Sequence, residues 1–206
     1  MYKHSKIFAA RLFAFGLLLA GAGSALATVR YVDVNSTNAT APYTSWASAS
    51  TNIQDAVDAA VTGDEIVVTN GVYATGGRSL DGTTINRAAV DKPLTLRSVN
   101  GPQLTVIDGA QSVRCVYLTN RASLIGFTLT NGAGDYTGGG VFCASVTAVV
   151  SNCVMAGNTA GLGGGAYGGT LNNCTLNINL KRTSPARNCQ WRTTKTTNNN
   201  QPKVHL

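Results

Sequence analysis

The chain has 206 residues, of which only 12% are charged and 23 are glycine, and its formal net charge is +7. That length suits one domain, and so low a charged fraction, against about 25% in ordinary soluble domains, excludes a fold of helices laced by surface ion pairs. The charge is concentrated at the ends: residues 1–27 carry +3 and residues 181–206 carry +6, whereas residues 28–180 hold seven bases and nine acids. The body is therefore mildly acidic, and no nucleic-acid partner is expected, since that needs a basic face on the fold itself.

In chain order, Lys3, His4, Lys6 and Arg11 precede an apolar run from Leu12 to Ala22, and Ala25-Leu26-Ala27 supplies a small-x-small site. This is the three-part layout of a secretory signal peptide over residues 1–27, with cleavage expected after Ala27. The run is shorter than the roughly 20 residues of a membrane span. The expected location is outside the cytoplasm, extracellular or at the cell surface in association with an outer membrane, with no transmembrane segment after cleavage.

Residues 28–92 read as an N-terminal strand, a capping helix and a first coil. Val29 to Val34 alternates β-formers and predicts a strand; residues 35–50 read as a loop. Ile53, Ala56, Val57, Ala60 and Val61 recur at i, i+3, i+4, i+7 and i+8, the apolar face of a helix over about 52–62. Thr51 and Gln54 fit a capping box, and Gly63 fits the position just past the helix end. Glu65–Thr69 then reads as a strand and Asn70-Gly71 as a turn.

Over 93–180 the pattern is short strands between turn signals: Leu94–Ser98, Leu104–Ile107, Val113–Thr119, Ser123–Thr130, Gly140–Cys143, Val146–Val150, Cys153–Met155, Ala166–Tyr167 and Cys174–Leu176. Ser151-Asn152-Cys153-Val154-Met155 matches Asn172-Asn173-Cys174-Thr175-Leu176 at a spacing of 21, and Gly138-Gly139-Gly140-Val141-Phe142 matches Gly163-Gly164-Gly165-Ala166-Tyr167 at 25. Phe127-Thr128-Leu129 precedes Cys153-Val154-Met155 by 26. Strands and turns recurring at such a period, without helices, predict an all-β solenoid of about four coils, each paired with its neighbours and covered at its N-terminal end by the helix. Cys153 and Cys174 are expected as rungs of a core ladder, with a Cys143–Cys153 or Cys153–Cys174 bridge as the alternative. With Cys115 and Cys189 the mature chain has five cysteines, so at least one stays unpaired.

From Ile178 the repeat stops, and residues 181–206 turn strongly basic. Three readings stand: a disordered tail, a segment that docks a partner, or the product of a reading-frame shift in a longer repeat gene, the last favoured because the break falls inside a repeat. An uncapped last coil also allows end-to-end association.

Ile53-Gln54-Asp55-Ala56-Val57-Asp58-Ala59-Ala60, with Gly63-Asp64-Glu65-Ile66-Val67-Val68 and Gly71-Val72-Tyr73, resembles the opening of pectin-lyase-like right-handed parallel β-helix proteins. Gly164-Gly165-Ala166-Tyr167 and Phe127-Thr128-Leu129-Thr130-Asn131 are similar to the repeats of the polymorphic outer-membrane protein family and related bacterial surface β-helices. The resemblance covers about residues 29–180. It implies a right-handed parallel β-helix, a fold that hosts lyases, hydrolases, adhesins and inert spikes.

A lyase of this fold needs carboxylates on Ca²⁺ and an Arg or Lys as base. Asp81, Asp108 and Asp135 are spaced 27 apart and are the candidates for a metal or carbohydrate face, although two of them precede Gly as ordinary turn pairs. Arg97, Arg114 and Arg121 serve as a base only if they share that face. Tyr136 and Tyr167, beside glycines, are candidates for stacking on sugars. The two histidines, His4 and His205, lie at the ends, which argues against a histidine triad or zinc site in the body. No catalytic residue and no cofactor is assigned, Ca²⁺ entering only with the lyase alternative. The expected function is a structural or adhesive exported β-helix, a fragment of a longer solenoid, with extracellular polysaccharide or cell-surface components as partners. The alternative is a carbohydrate-active enzyme or sugar-binding module.

Overall fold

The computed structural model describes residues 27–181. The expected signal segment, nearly all of the basic tail and Cys189 lie outside the described residues. In chain order the elements are β1 (Val29–Val32), one turn of 3-10 helix, α1 (Ile53–Ala59), β2 (Glu65–Val68), β3 (Gly71–Tyr73), β4 (Arg78–Ser79), β5 (Ile85–Val90), β6 (Thr95–Ser98) and β7 (Thr105–Asp108). They continue with β8 (Arg114–Leu118), β9 (Ser123–Ile125), β10 (Thr128–Thr130), β11 (Val141–Cys143), β12 (Val149–Ser151) and β13 (Val154–Ala156). The last are β14 (Thr159–Ala160), β15 (Ala166–Tyr167), β16 (Thr170–Asn172), β17 (Thr175–Asn177) and β18 (Leu180–Lys181).

The fold is all-β and almost wholly parallel. A first sheet orders β1-β2-β6-β9-β12-β16, a second β3-β7-β10-β13-β17, and a third β4-β5-β8-β11-β15; β14 and β18 form a small fourth. Among the described residues only β4–β5 is antiparallel. From β2 onward the chain visits the first, second and third sheets in turn and returns to the first one strand further along.

Register puts like residues on like positions. In the first sheet Ile66, Leu96, Leu124, Val150 and Leu171 follow one another in register. In the second the series is Tyr73, Ile107, Leu129, Met155 and Leu176, and in the third Ala88, Val116, Val141 and Ala166. All of these side chains except Leu176 belong to or pack against one core cluster, most of them wholly buried. Each buried Leu, Ile or Met contributes about 1.5–3 kcal/mol. Burial decays along the stack: Leu176, Ile178 and Leu180 are exposed at the far end.

The corner between the first and second sheets explains the Asn-Cys repeat. Two residues link β9 to β10, β12 to β13 and β16 to β17. The first of each pair, Gly126, Asn152 and Asn173, has positive φ (79°, 52° and 50°), a conformation that glycine and asparagine tolerate best. The second residue, Phe127, Cys153 or Cys174, packs inward. The expected single strand Ser123–Thr130 is therefore two strands broken at Gly126.

At the near end α1 packs on β1, β2 and β5, burying Ile53, Gln54, Ala56 and Val57. It is shorter than the sequence pattern suggests and starts one residue later. Asn52, not Thr51, is the N-cap: its Oδ1 accepts from the Asp55 N–H (3.0 Å) and its Nδ2 donates to Asp55 Oδ2 (2.7 Å). Gln54 instead covers the open edge of the third sheet, its Oε1 accepting from the Ala89 N–H (2.7 Å). Lys92 Nζ donates to the carbonyls of Val57 and Ala60 at the helix C-terminus. Below Ile66, buried Arg30 pairs with buried Asp64 (Nε–Oδ2 3.0 Å), whose carboxylate also accepts from the Thr28 and Val61 N–H groups (2.9 Å each). Burial pushes the Asp64 carboxyl up, but these N–H groups and Arg30 outweigh it and leave it below its ordinary value.

Candidate functional site

A concavity of about 560 Å³ lies on the outer side of the third sheet, between the loop joining β4 to β5 and the loop joining β10 to β11. Its floor is Arg114, the first residue of β8, with 6% of its surface exposed. All three guanidinium nitrogens are held: Nε donates to Gly138 O (2.7 Å), Nη1 to Asn86 Oδ1 (2.8 Å) and Nη2 to Thr137 O (2.8 Å). Asn86 is the in-register partner of Arg114 on β5, and its Nδ2 donates in turn to Arg78 O and Thr84 O. The guanidinium carbon lies 4.9 Å from the centre of the Phe142 ring, a cation–π distance. Burial lowers the Arg114 pKa, opposed by the charges of Asp81 and Asp135.

The rim carries Asp81, Asp135 and Tyr136, the tyrosine 61% exposed. Asp81 is bound up in its own loop: Oδ1 accepts from the N–H groups of Thr83 (2.8 Å) and Thr84 (2.9 Å) and from Ser79 Oγ (3.1 Å). The Thr83 N–H first, then that of Thr84, hold this carboxyl far below the usual carboxylate range. It is a fixed anion, unsuited to proton transfer near neutral pH. Tyr117 and Phe142 form one wall.

Of the residues singled out from the sequence, the structure brings together Asp81, Asp135, Tyr136 and Arg114. It places Asp108 elsewhere, at the end of β7 in the second sheet, where its carboxylate accepts from the Ala110 N–H (2.7 Å) and Asn131 Nδ2 (3.2 Å). The 27-residue spacing does not produce a common face because the spacing of in-register residues varies: they are 21 residues apart at Val154–Thr175 and 34 apart at Val72–Val106. Arg97 pairs with Glu65 on the first sheet (Nε–Oε1 2.5 Å), and Arg121 sits in an exposed turn. Tyr167 lies outside the cleft, at the end of a ladder whose other members line it: Tyr117, Phe142 and Tyr167 are in register with ring centres 5.6 Å apart at each step, tilted 27° and 6°. Its face toward Phe142 is already covered. Cys153 is 1% exposed and Cys174 half-buried; with Cys115 and Cys143 they are free thiols. Among the described residues no three His, Cys, Asp or Glu side chains converge on a metal position, and no helix is long and apolar enough to cross a membrane.

Sequence reading missed Asn86, Tyr117 and Phe142 in the cleft. Phe142 was already aligned with Tyr167 by the 25-residue glycine repeat; Tyr117 lies 25 residues earlier again, but no glycine triplet marks its coil. Asn86 is legible only through its pairing with Arg114. Comparison with known proteins finds no matching family model, no matching curated protein and no matching solved structure.

Proposed function

We propose that the chain is an exported right-handed parallel β-helix with a structural or adhesive role, and that the Arg114 cleft is its contact site for a polyhydroxylated surface ligand such as a polysaccharide. The observation that carries the fold is the strict rotation of the chain through three parallel sheets with like residues in register; parallel crossovers of this kind are right-handed in nearly all proteins. The cleft supports the adhesive role. A fixed guanidinium, two carboxylates and an exposed tyrosine offer paired hydrogen-bonding groups beside an aromatic surface, which suits a sugar.

The chemistry argues for binding without turnover. Arg114 is locked by three acceptors and Asp81 is held as an anion by its own loop, so neither is set up to exchange a proton with substrate. The second reading, a carbohydrate-active enzyme, rests on Asp81 and Asp135 sharing the cleft. Titration of the purified chain with a panel of neutral and acidic polysaccharides, with calorimetric detection, tests the proposal. Saturable binding that weakens at least tenfold in Tyr136→Ala and Arg114→Gln is expected. Unsaturated sugar ends absorbing in the ultraviolet, formed in the presence of Ca²⁺, would replace the adhesive reading with the enzymatic one.

A further inference from the structure

Cys153 and Cys174 occupy the same corner position in successive coils. Each stands immediately before an in-register pair, Val154 and Thr175, so their Cα atoms are separated by about one inter-strand step, roughly 4.8 Å. That falls inside the roughly 4.4–6.8 Å that a disulfide spans. Their side chains take the same course: Cys153 Sγ lies 3.2 Å from Ser151 O and Cys174 Sγ 3.4 Å from Asn172 O, the carbonyl two residues back in each case. Cys115 and Cys143 have no such neighbour: they lie on the third sheet and are buried, with burial pushing each thiol up to about 12.

We propose that Cys153 and Cys174 form a dithiol site that closes to a disulfide between neighbouring coils when a small disulfide oxidant reaches Cys174. The half-buried sulfur of Cys174 is the entry point, since Cys153 is 1% exposed. The neighbouring Cys153 thiol holds the Cys174 pKa below its ordinary value, and together with its exposure this makes Cys174 the attacking sulfur. With oxidised glutathione the Cys174 thiolate attacks one sulfur, the S–S bond breaks, and one glutathione thiolate leaves. Cys153 then gives its proton to solvent, attacks Cys174 Sγ and expels the second glutathione. Two protein thiols are oxidised and one disulfide is reduced to two thiols. The site is independent of the adhesive reading and of what the cleft binds.

The test is to purify the full chain reduced, incubate it with oxidised glutathione, alkylate it in denaturant and map its peptides. A second sample with Cys189→Ser removes the fifth cysteine. The expected result is a linked peptide holding Cys153 and Cys174, a loss of two alkylatable thiols, and a thermal midpoint several degrees above that of the reduced chain. Cys174→Ser should show neither the link nor the midpoint difference. Full alkylation after incubation, a stable glutathione adduct on Cys174, or a link from Cys153 to another cysteine would each overturn the proposal. An unchanged midpoint in the linked chain would overturn its stapling role.

Discussion

Asn158 is wholly buried and joins three segments through its side chain. Its Oδ1 accepts from the Gly132 N–H (2.8 Å), and its Nδ2 donates to Leu129 O and to Asn179 Oδ1 (2.9 Å each). Asn158→Ala orphans the Gly132 N–H beneath the β10–β11 loop, which costs about 1–3 kcal/mol, and removes two further bonds worth about 1 kcal/mol each. The net loss is about 3–5 kcal/mol, a large share of the roughly 5–15 kcal/mol typical of a whole domain. Urea unfolding followed by far-ultraviolet circular dichroism measures it. Asn152→Gly is the control: Asn152 sits at an exposed corner with φ of 52° and accepts from Asn173 Nδ2, so glycine there should change stability by less than about 0.5 kcal/mol. A loss under about 1 kcal/mol for Asn158→Ala, at unchanged denaturant slope, would show that the loop does not depend on this side chain.

Other substitutions probe separate features. Ile178 is 83% exposed yet sits at φ of 40°, a strained position for a β-branched residue; Ile178→Gly should stabilise by about 1 kcal/mol in the same urea assay. A methyl at Gly132 meets the Gly139 carbonyl oxygen, so Gly132→Ala should cost about 3 kcal/mol, read as a lower thermal midpoint. Asp64→Asn breaks the buried pair with Arg30 and should cost about 3–5 kcal/mol at pH 7. Because the folded Asp64 pKa is lowered, its contribution is complete above the unfolded value near 4 and disappears as pH falls through the folded one. Unfolding of wild type and Asp64→Asn between pH 7 and pH 2 should therefore converge at the acid end; a constant gap refutes the assignment.

Much of the strand pattern was legible because turn chemistry is local. Asn and Gly mark the corners, and most strands fall within a residue or two of where alternation places them. What was not legible depends on neighbouring coils. Ile-Asn-Arg-Ala-Ala-Val at 85–90 has no strong strand signal, yet β5 forms because it pairs in register with β8 on one side, while β4 and Gln54 cover the other. Asn179, 21 residues after Asn158, repeats its reach into the coil below by donating to Met155 O (2.9 Å); the spacing matches that of Cys153 and Cys174, but asparagine reads as a turn residue until its burial is seen. The cleft was half legible: Asp81, Arg114, Asp135 and Tyr136 were among the residues picked out, while Asn86, which holds Arg114 from the neighbouring strand, and the wall of Tyr117 and Phe142 were not.

The uneven length of the coils has a consequence for how such a chain can change. The connections from the second sheet to the third hold between 4 and 10 residues, whereas most of those from the first to the second hold two. The surplus residues leave and rejoin the stack at the same edge, and they carry the rim of the cleft. Exposed positions there, such as Tyr136, can change while the inward residues keep their register, whereas Gly132 and buried Asn158 in the same connections hold the fold and cannot.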